Sequence, residues 1–474
     1  MKIKHQELVI SKEKPFEKCQ LDREKYALAL TDIVESYSEG FVLAINNAWG
    51  TGKTTFVKMW KQHLENQKFQ TIYFNAWEND FDSNPLVAIM SELQTLINDD
   101  KDRKKNFKSA LKKGAILAKN IAPALVNSLS KKYIGETGAD LLKNTTKAAA
   151  EIFESEINIY TNKKKTINEF KVELEKFIKT KSDQKPLVFI IDELDRCRPD
   201  YAVELLEQIK HFFSIPGIIF VLSIDKDHLS SSVKGFYGSE EINTDEYLRR
   251  FIDLEYSIPS PSIEGLKKFV GYLYEYHSFQ TFFSSKERSQ FQELQSDSRA
   301  FLTMAELLFE KSNITLRQQE KIFALSRVII GSFAYNSYVF PHLLFILIYL
   351  KITKSDLFKK IEQNKLKLQE LSNAFGDLIL NLTGGNSERI NLLFVEAQLL
   401  KFYNNNQNYN QRISLITRGA NNELSTPIKS KLENESDKLA NLLQHVESNA
   451  YYSGLELRHL MDKINLMKQM QLKK

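Results

Sequence analysis

Residues 41–57, FVLAINNAWGTGKTTFV, restrict the fold of this chain more than any other stretch. A short apolar run leads into a glycine-bearing turn and then a helical pattern, with Gly52-Lys53-Thr54-Thr55 at the joint. A strand, a turn and a helix start in that order form a cradle for phosphate, because the free N–H groups of the helix N-terminus point at the ligand and the helix dipole favours negative charge. Asn47-Ala48-Trp49-Gly50-Thr51-Gly52-Lys53-Thr54 fits the pattern G-x-x-x-x-G-K-[ST] everywhere but at its first position. The pattern predicts nucleotide contacts from residues 47 to 55, with Lys53 on the β- and γ-phosphates and the Thr54 hydroxyl on Mg²⁺. Asn47 stands where the pattern has glycine. Asparagine tolerates a left-handed backbone, so the loop is expected to keep its shape, and Asn47→Gly to preserve or strengthen ATP binding.

A second motif, PLVFIIDELDRCRPD over residues 186–200, supplies acid. Leu187 to Ile191 is wholly apolar, as suits a central parallel strand covered on both faces. It ends in Asp192 and Glu193, at the edge of an open α/β sheet where ligands bind. Asp192 is placed to hold Mg²⁺ and Glu193 to deprotonate an attacking water, with Asp195 as the reserve carboxylate. Between the motifs lies a further strand, Thr71 to Phe74, followed by Asn75-Ala76-Trp77-Glu78. That order, with a glutamate after the aspartate, indicates the ATP-hydrolysing branch of P-loop folds, in which the P-loop strand and the acidic strand are not neighbours. A helix over Tyr201 to Phe213, a strand over Ile218 to Ile224 and a fifth strand over Phe251 to Ile258 complete a doubly wound parallel sheet. Ser223 and Asp225, at the end of the fourth strand, are candidates to position water.

AWGTGKT, FNAWE, IIDELDRCRPD, FVLSIDKDHL and EYLRRFIDLEYSIP, in this order, resemble the KAP family of P-loop NTPases over roughly residues 15–350. The resemblance implies ATP binding and hydrolysis. LDREKYA (Leu21 to Ala27) resembles the family's N-terminal helix near the nucleotide base, which makes Arg23 a nucleotide-binding candidate. Asn313 to Lys321 resembles its LR-x-x-E-K element, and Arg317 there is similar to the arginine that reaches the γ-phosphate from the helical subdomain of related ATPases. Bacterial members belong to phage-exclusion and other defence systems; animal members are membrane-anchored signalling scaffolds. The implied partner is an effector protein from a neighbouring gene, and homo-oligomers are a further expectation. Arg249 and Arg250 read first as basic residues stabilising a helix end, and are also candidates for a phosphate contact within or between subunits.

In many relatives the region before the acidic strand crosses a membrane. Here residues 98–180 are Lys-rich: Lys101 to Lys113 holds six lysines and one arginine against one aspartate. Its longest uncharged stretch, Asn120 to Ser130, is interrupted by Pro123 and falls well short of the ~20 apolar residues of a span. Ile167, Phe170, Leu174, Phe177 and Ile178 share one helical face, so a helical insertion is expected instead of an anchor. Its basic run reads first as a solvated helix face; nucleic acid, an acidic partner and anionic lipid are its other readings. Val328 to Leu350 lacks charge but is broken by Asn336 and Pro341, as two buried helices would be.

At 474 residues the chain exceeds one core. The expected division is a helical segment over 1–40, the P-loop core over 41–261, a helical subdomain over 262–354 and a helical C-terminal region over 355–474, with an Asn-rich loop near 403–411. A net charge of +5 is too mild to argue for nucleic acid. Two cysteines and a charged N-terminus suit the reducing cytoplasm, and eight histidines without ligand spacing argue against zinc. The reading is a cytoplasmic, Mg²⁺-dependent ATPase acting as a switch in anti-phage defence. Its alternatives are an ATP-binding scaffold with little turnover, a nucleic-acid-stimulated ATPase and a small-molecule kinase.

Overall fold

Apolar residues on both faces of a strand place it inside a parallel sheet, and three strands of this protein meet that condition. They are β1 (Val42–Asn46), β3 (Leu187–Asp192) and β4 (Ile218–Ile224), the last two buried along their whole length. The computed structural model describes residues 8–37, 39–81, 84–97, 102, 104–114, 146–179, 185–210, 215–380, 386–419, 423–432, 437–449, 452 and 454–465. With β2 (Gln70–Asn75) and β5 (Leu254–Tyr256) at the edges, five strands form a parallel sheet in the order β2-β3-β4-β1-β5. β4 separates the P-loop strand from the acidic strand, so the α/β fold is the doubly wound P-loop fold that the order of motifs predicts.

Successive side chains of one strand point to opposite faces, and each face has its own core. Phe189, Ile191, Phe220 and Leu222 lie on one side, under α3 (Pro85–Gln94), a helix over residues 104–114 (α4), α5 (Thr146–Lys179) and α6 (Pro199–Ile209). Val188, Ile190, Ile219 and Val221 lie on the other, with α1 (Glu24–Ser36) and α2 (Lys53–Asn66). The insertion joins the first core: Phe170, Leu174, Phe177 and Ile178 of α5 are buried there, with the Phe177 ring 5.1 Å from Phe107 of α4. Asn120 to Ser130 lies outside the described residues. α7 (Lys226–Tyr237) and α8 (Thr244–Leu248) connect β4 to β5.

The chain divides into two units, residues 7–260 and 261–474. In the second, α9 (Ile263–Tyr276), α10 (Gln280–Phe283), α11 (Lys286–Ser289) and α12 (Asp297–Lys311) precede α13 (Leu316–Ile330) and α14 (Pro341–Thr353). After these come α15 (Ser355–Glu362), α16 (Leu368–Ile379), α17 (Asn386–Asn405), α18 (Asp437–Ser448) and α19 (Leu457–Ile464), with a small ribbon of β6 (Thr417–Arg418) and β7 (Leu424–Ser425). α14 is the hub: Leu343 through Leu350 are all buried, and it packs against α12, α13, α15, α17 and α19. The uncharged stretch 328–350 is thus the end of α13, a turn and a core helix. Among the described residues, no helix is long and apolar enough to cross a membrane.

Two expectations need correction. The fifth strand is shorter than Phe251 to Ile258: the Phe251 amide still closes a turn on Leu248, and the amide and carbonyl of Ile258 bond to a side chain instead of a strand. The Asn-rich segment is not loop throughout, since α17 runs to Asn405. Asn404 and Asn405 are buried, and their side-chain amides donate to the carbonyls of Ile413 and Leu455 at 2.9 and 2.7 Å.

Candidate active site

The strands are in register so that Asn75, Asp192, Ser223 and Ile45 form one row across the carboxyl edge of the sheet. From the β1 end of that edge the chain turns through Asn47 to Gly52 into α2. Gly50 (φ +79°) and Gly52 (φ +84°) take the left-handed conformations that the tight turn requires. Asn47 is not among the residues with positive φ, which corrects the backbone argument for its tolerance. Its side chain does the work. The Nδ2 group donates to Ile258 O at 2.9 Å, and Oδ1 accepts from Ile258 N at 2.8 Å. An asparagine amide thus imitates a strand partner and ties the first residue of the loop to the segment beyond β5.

Further contacts order the loop. Arg23, buried at the start of α1, donates to the carbonyls of Thr51 at 2.8 Å and Gly52 at 3.3 Å, and burial lowers its pKa. Its guanidinium therefore holds the loop's carbonyl side. The Trp49 N–H donates to Asp225 Oδ2 at 3.0 Å, and the Thr51 hydroxyl to Ala48 O at 2.8 Å. The Trp49 indole stacks on His228 with centroids 3.6 Å apart and donates through Nε1 to Asp195.

Lys53 is buried, and its ammonium donates to the carbonyls of Asn47 and, at 3.2 Å, Ala48. Burial lowers its pKa, against the pull of Asp195, Asp225 and Asp192. Thr54 and Thr55 follow in the first turn of α2, half-buried and exposed.

At the acidic strand, Asp192 is 1% exposed and accepts only from neutral donors, Tyr73 Oη at 2.9 Å and the Glu193 N–H at 3.0 Å. Glu193 is left-handed (φ +63°), a strained conformation for a non-glycine residue. Both its oxygens are engaged: Oε1 by Arg196 Nη1 at 2.6 Å and Oε2 by Asn75 Nδ2 at 3.2 Å. Burial raises its pKa, with Asp192 adding and Arg196 opposing. Burial likewise raises that of Asp195, whose Oδ1 has no hydrogen-bond partner among the described residues. Beside Asp192 in the row, the fully buried Ser223 Oγ also lacks one among those residues. A buried carboxylate with neutral donors beside an orphaned hydroxyl fits a divalent cation and its water. Thr54 and Asp192 are the residues that would hold it, since Mg²⁺ takes few protein oxygens and completes its shell with phosphate and water. Asn75, Arg196 and Tyr73 were not legible as site residues from their types. Asn75 ends β2 as Asp192 ends β3, and register alone pairs them.

Arg317 lies elsewhere in the chain, as the second residue of α13 in the helical unit, behind a Thr315–Gln318 capping box. Arg250 lines a cavity of about 350 Å³ with Glu207, Tyr237 and Tyr247.

A β1–loop–α2 phosphate cradle, an acidic residue at the end of a non-adjacent strand and a third strand between them define a P-loop NTPase domain. The chain matches the KAP family P-loop domain over residues 23–331 and belongs to that family. An uncharacterized protein of Methanocaldococcus jannaschii is 31% identical over 177 residues, which cover 32% of this chain and 89% of that one. The phage T7 exclusion protein of Escherichia coli is 21% identical over 48% of this chain, which spans only 31% of its length. Among solved structures, the Aeropyrum pernix ORC2 protein in its ADPNP-ADP complexes aligns over 90% of this chain and 95% of its own, at 12% identity and a TM-score of 0.34, a likeness too slight to bear on function.

Proposed function

We propose that this protein is a Mg²⁺-dependent ATPase working as a nucleotide-driven switch in the bacterial cytoplasm, in defence against phage. One observation carries the enzymatic reading: Glu193 follows the buried Asp192 at the sheet edge, in a row that also holds Ser223, beside the loop that holds Lys53. In this reading Lys53 exchanges the carbonyls of Asn47 and Ala48 for phosphate oxygens, which are stronger partners because they are charged. The loop amides from Ala48 to Thr55, apart from that of Trp49, take the remaining phosphate oxygens. Mg²⁺ held by Thr54 and Asp192 would neutralise charge on the phosphates. Glu193 accepts a proton from water as the water oxygen bonds to the γ-phosphorus and the bond to the ADP oxygen breaks. Ser223 orients that water, Asp195 is the reserve carboxylate, and Arg317 is the γ-phosphate sensor that the family resemblance implies. Arg23 keeps the loop in shape.

The defence role is supported by the family and by the likeness to a phage exclusion protein. Its partner is an effector protein encoded nearby, with self-association as a further possibility. A second reading, an ATP-gated scaffold with little turnover, is favoured by the engagement of both Glu193 oxygens. Phosphate release from MgATP separates the two. The enzyme reading expects release that a chelator and Glu193→Gln both abolish, and release no faster than that variant's supports the scaffold. Added DNA or RNA tests nucleic-acid stimulation in the same assay. Unchanged phage infection with and without the gene would sink the defence role.

A further inference from the structure

Arg196 joins three segments of the site at one cation. It closes the short turn after β3 (Leu194–Arg196) and ion-pairs with Glu193 at 2.6 Å. Its guanidinium carbon lies 5.9 Å from the ring centre of Trp49, in the phosphate loop, and 5.8 Å from that of Trp77, in the turn after β2. An arginine within about 6 Å of an aromatic face is attracted to it, and Arg196 has two such faces. Attraction to the two rings acts on the guanidinium's charge and leaves its N–H groups to choose an anion.

That anion is now Glu193, and the ion pair holds its carboxylate back from general-base work. Each oxygen keeps a lone pair for water, but with Asn75 on one and the Arg196 cation on the other the carboxylate is a weaker base, and it gains basicity when Arg196 lets go. Asn75 is a neutral donor at 3.2 Å; Arg196 is a cation at 2.6 Å and the stronger restraint. A triphosphate seated on Lys53 brings a rival anion whose oxygens match the guanidinium fork. Lys53 is close enough for Arg196 to act on it: burial is the main cause of the ammonium's lowered pKa, and Arg196 adds to it.

We propose that Arg196 is a partner-exchanging catalytic residue, bound to Glu193 at rest and to the γ-phosphate when ATP fills the loop. One movement would free the Glu193 carboxylate for water and place positive charge where the transferred phosphoryl group spreads negative charge. An arginine supplied by the same chain does the second task in some P-loop enzymes. Trp49 and Trp77 are the rail along which the guanidinium moves. The proposal rests on the ATPase reading for its rate effect but not for the exchange itself.

The test uses the full-length protein in two arms. In the first, Arg196→Gln lowers kcat by about a hundredfold or more, with the KM for ATP changed only a few-fold, and Arg196→Lys recovers part of the loss. In the second, tryptophan emission is followed on adding ATP or ADP with Mg²⁺. The chain has three tryptophans, and Trp60 is fully buried, so a change confined to the cage reports on Trp49 and Trp77. ATP changes the emission, ADP does not, and the change is lost in Arg196→Gln and reduced in Trp77→Phe. Wild-type kcat in Arg196→Gln overturns the proposal, as does an ATP-specific emission change that survives in it. If the wild type binds ATP and shows the emission change but releases no phosphate above Glu193→Gln, the ATPase reading fails and the exchange stands.

Discussion

Two buried cations, one in each unit, are held in opposite ways. Arg288 of the helical unit is fully buried; its Nη2 meets Asp297, and its Nη1 donates to the carbonyls of Tyr335 and Ser337 at 2.9 Å each. Those carbonyls belong to the turn between α13 and α14, so one side chain fixes the entrance to the hub helix. Lys53 of the P-loop unit is also buried, yet its ammonium bonds only to neutral carbonyls of its own loop. Asp195, Asp225 and Asp192 act on it without bonding to it, and burial outweighs them. The Arg288 charge, matched to its counter-charge, holds its fold together, whereas the Lys53 charge, left with weak partners on a flexible stem, can exchange them for phosphate. Both units leave buried polar atoms without a hydrogen-bond partner among the described residues, Gln319 Oε1, Ser326 Oγ and Arg288 Nε in the helical one. At the carboxyl edge of the sheet, however, two such atoms, Ser223 Oγ and Asp195 Oδ1, lie next to the phosphate loop and its lysine.

That contrast breaks most visibly at Arg288. Arg288→Met strands the buried Asp297 and is expected to cost about 3–5 kcal/mol. At roughly 2–4 °C per kcal/mol for a unit of this size, the unfolding transition should fall by about 10 °C. A scanning calorimetry shift below about 3 °C would place Arg288 outside the structural class. Lys53→Ala should do the reverse. The apo protein should melt within about 1 °C of the wild type, because a half-satisfied buried ammonium contributes little. The stabilisation by MgATP, about 2.7 kcal/mol at a hundredfold excess over Kd, should disappear. A thermal shift that persists with ATP would move the binding site away from this loop.

How far such a contrast could be read from sequence depends on whether its cause is local. β1, β3 and β4 were legible because burial on both faces forces unbroken apolar runs, and the P-loop because its chemistry needs Gly50, Gly52 and Lys53 at fixed offsets. β5 was read too long, because what ends it is the long-range bond between Asn47 and Ile258. Asn404 and Asn405 look like loop residues by propensity, but distant carbonyls make them part of α17, a tertiary override of a weak local preference. Glu193, Asp192 and Lys53 could be named from their motifs. Asn75 and Arg196 could not, because their roles arise where β2, β3 and the loop meet in space.

Asn47 tests the comparison at its finest grain, since here the loop is completed by a structural contact. From the motif alone, glycine at position 47 should preserve or strengthen ATP binding. The structure reverses that expectation. Asn47→Gly removes two hydrogen bonds, at 2.8 and 2.9 Å, and leaves the Ile258 amide and carbonyl without those partners. Each bond contributes about 1 kcal/mol net, and the added backbone freedom of glycine costs roughly another 0.5–1 kcal/mol. Because Asn47 has no positive φ, glycine gains nothing in exchange. A looser loop start must be ordered when phosphate binds, so ATP affinity should weaken by about three- to tenfold, and the melting temperature should fall by a few degrees. Asn47→Asp keeps the acceptor for the Ile258 N–H, loses the donor and brings a negative charge to the loop, so it should bind ATP less well than Asn47→Gly. Calorimetric titration of the three proteins with MgATP ranks them. If Asn47→Gly binds as tightly as the wild type, the shape of the loop owes nothing to Ile258, and the tie is structural in the sense that Arg288 is.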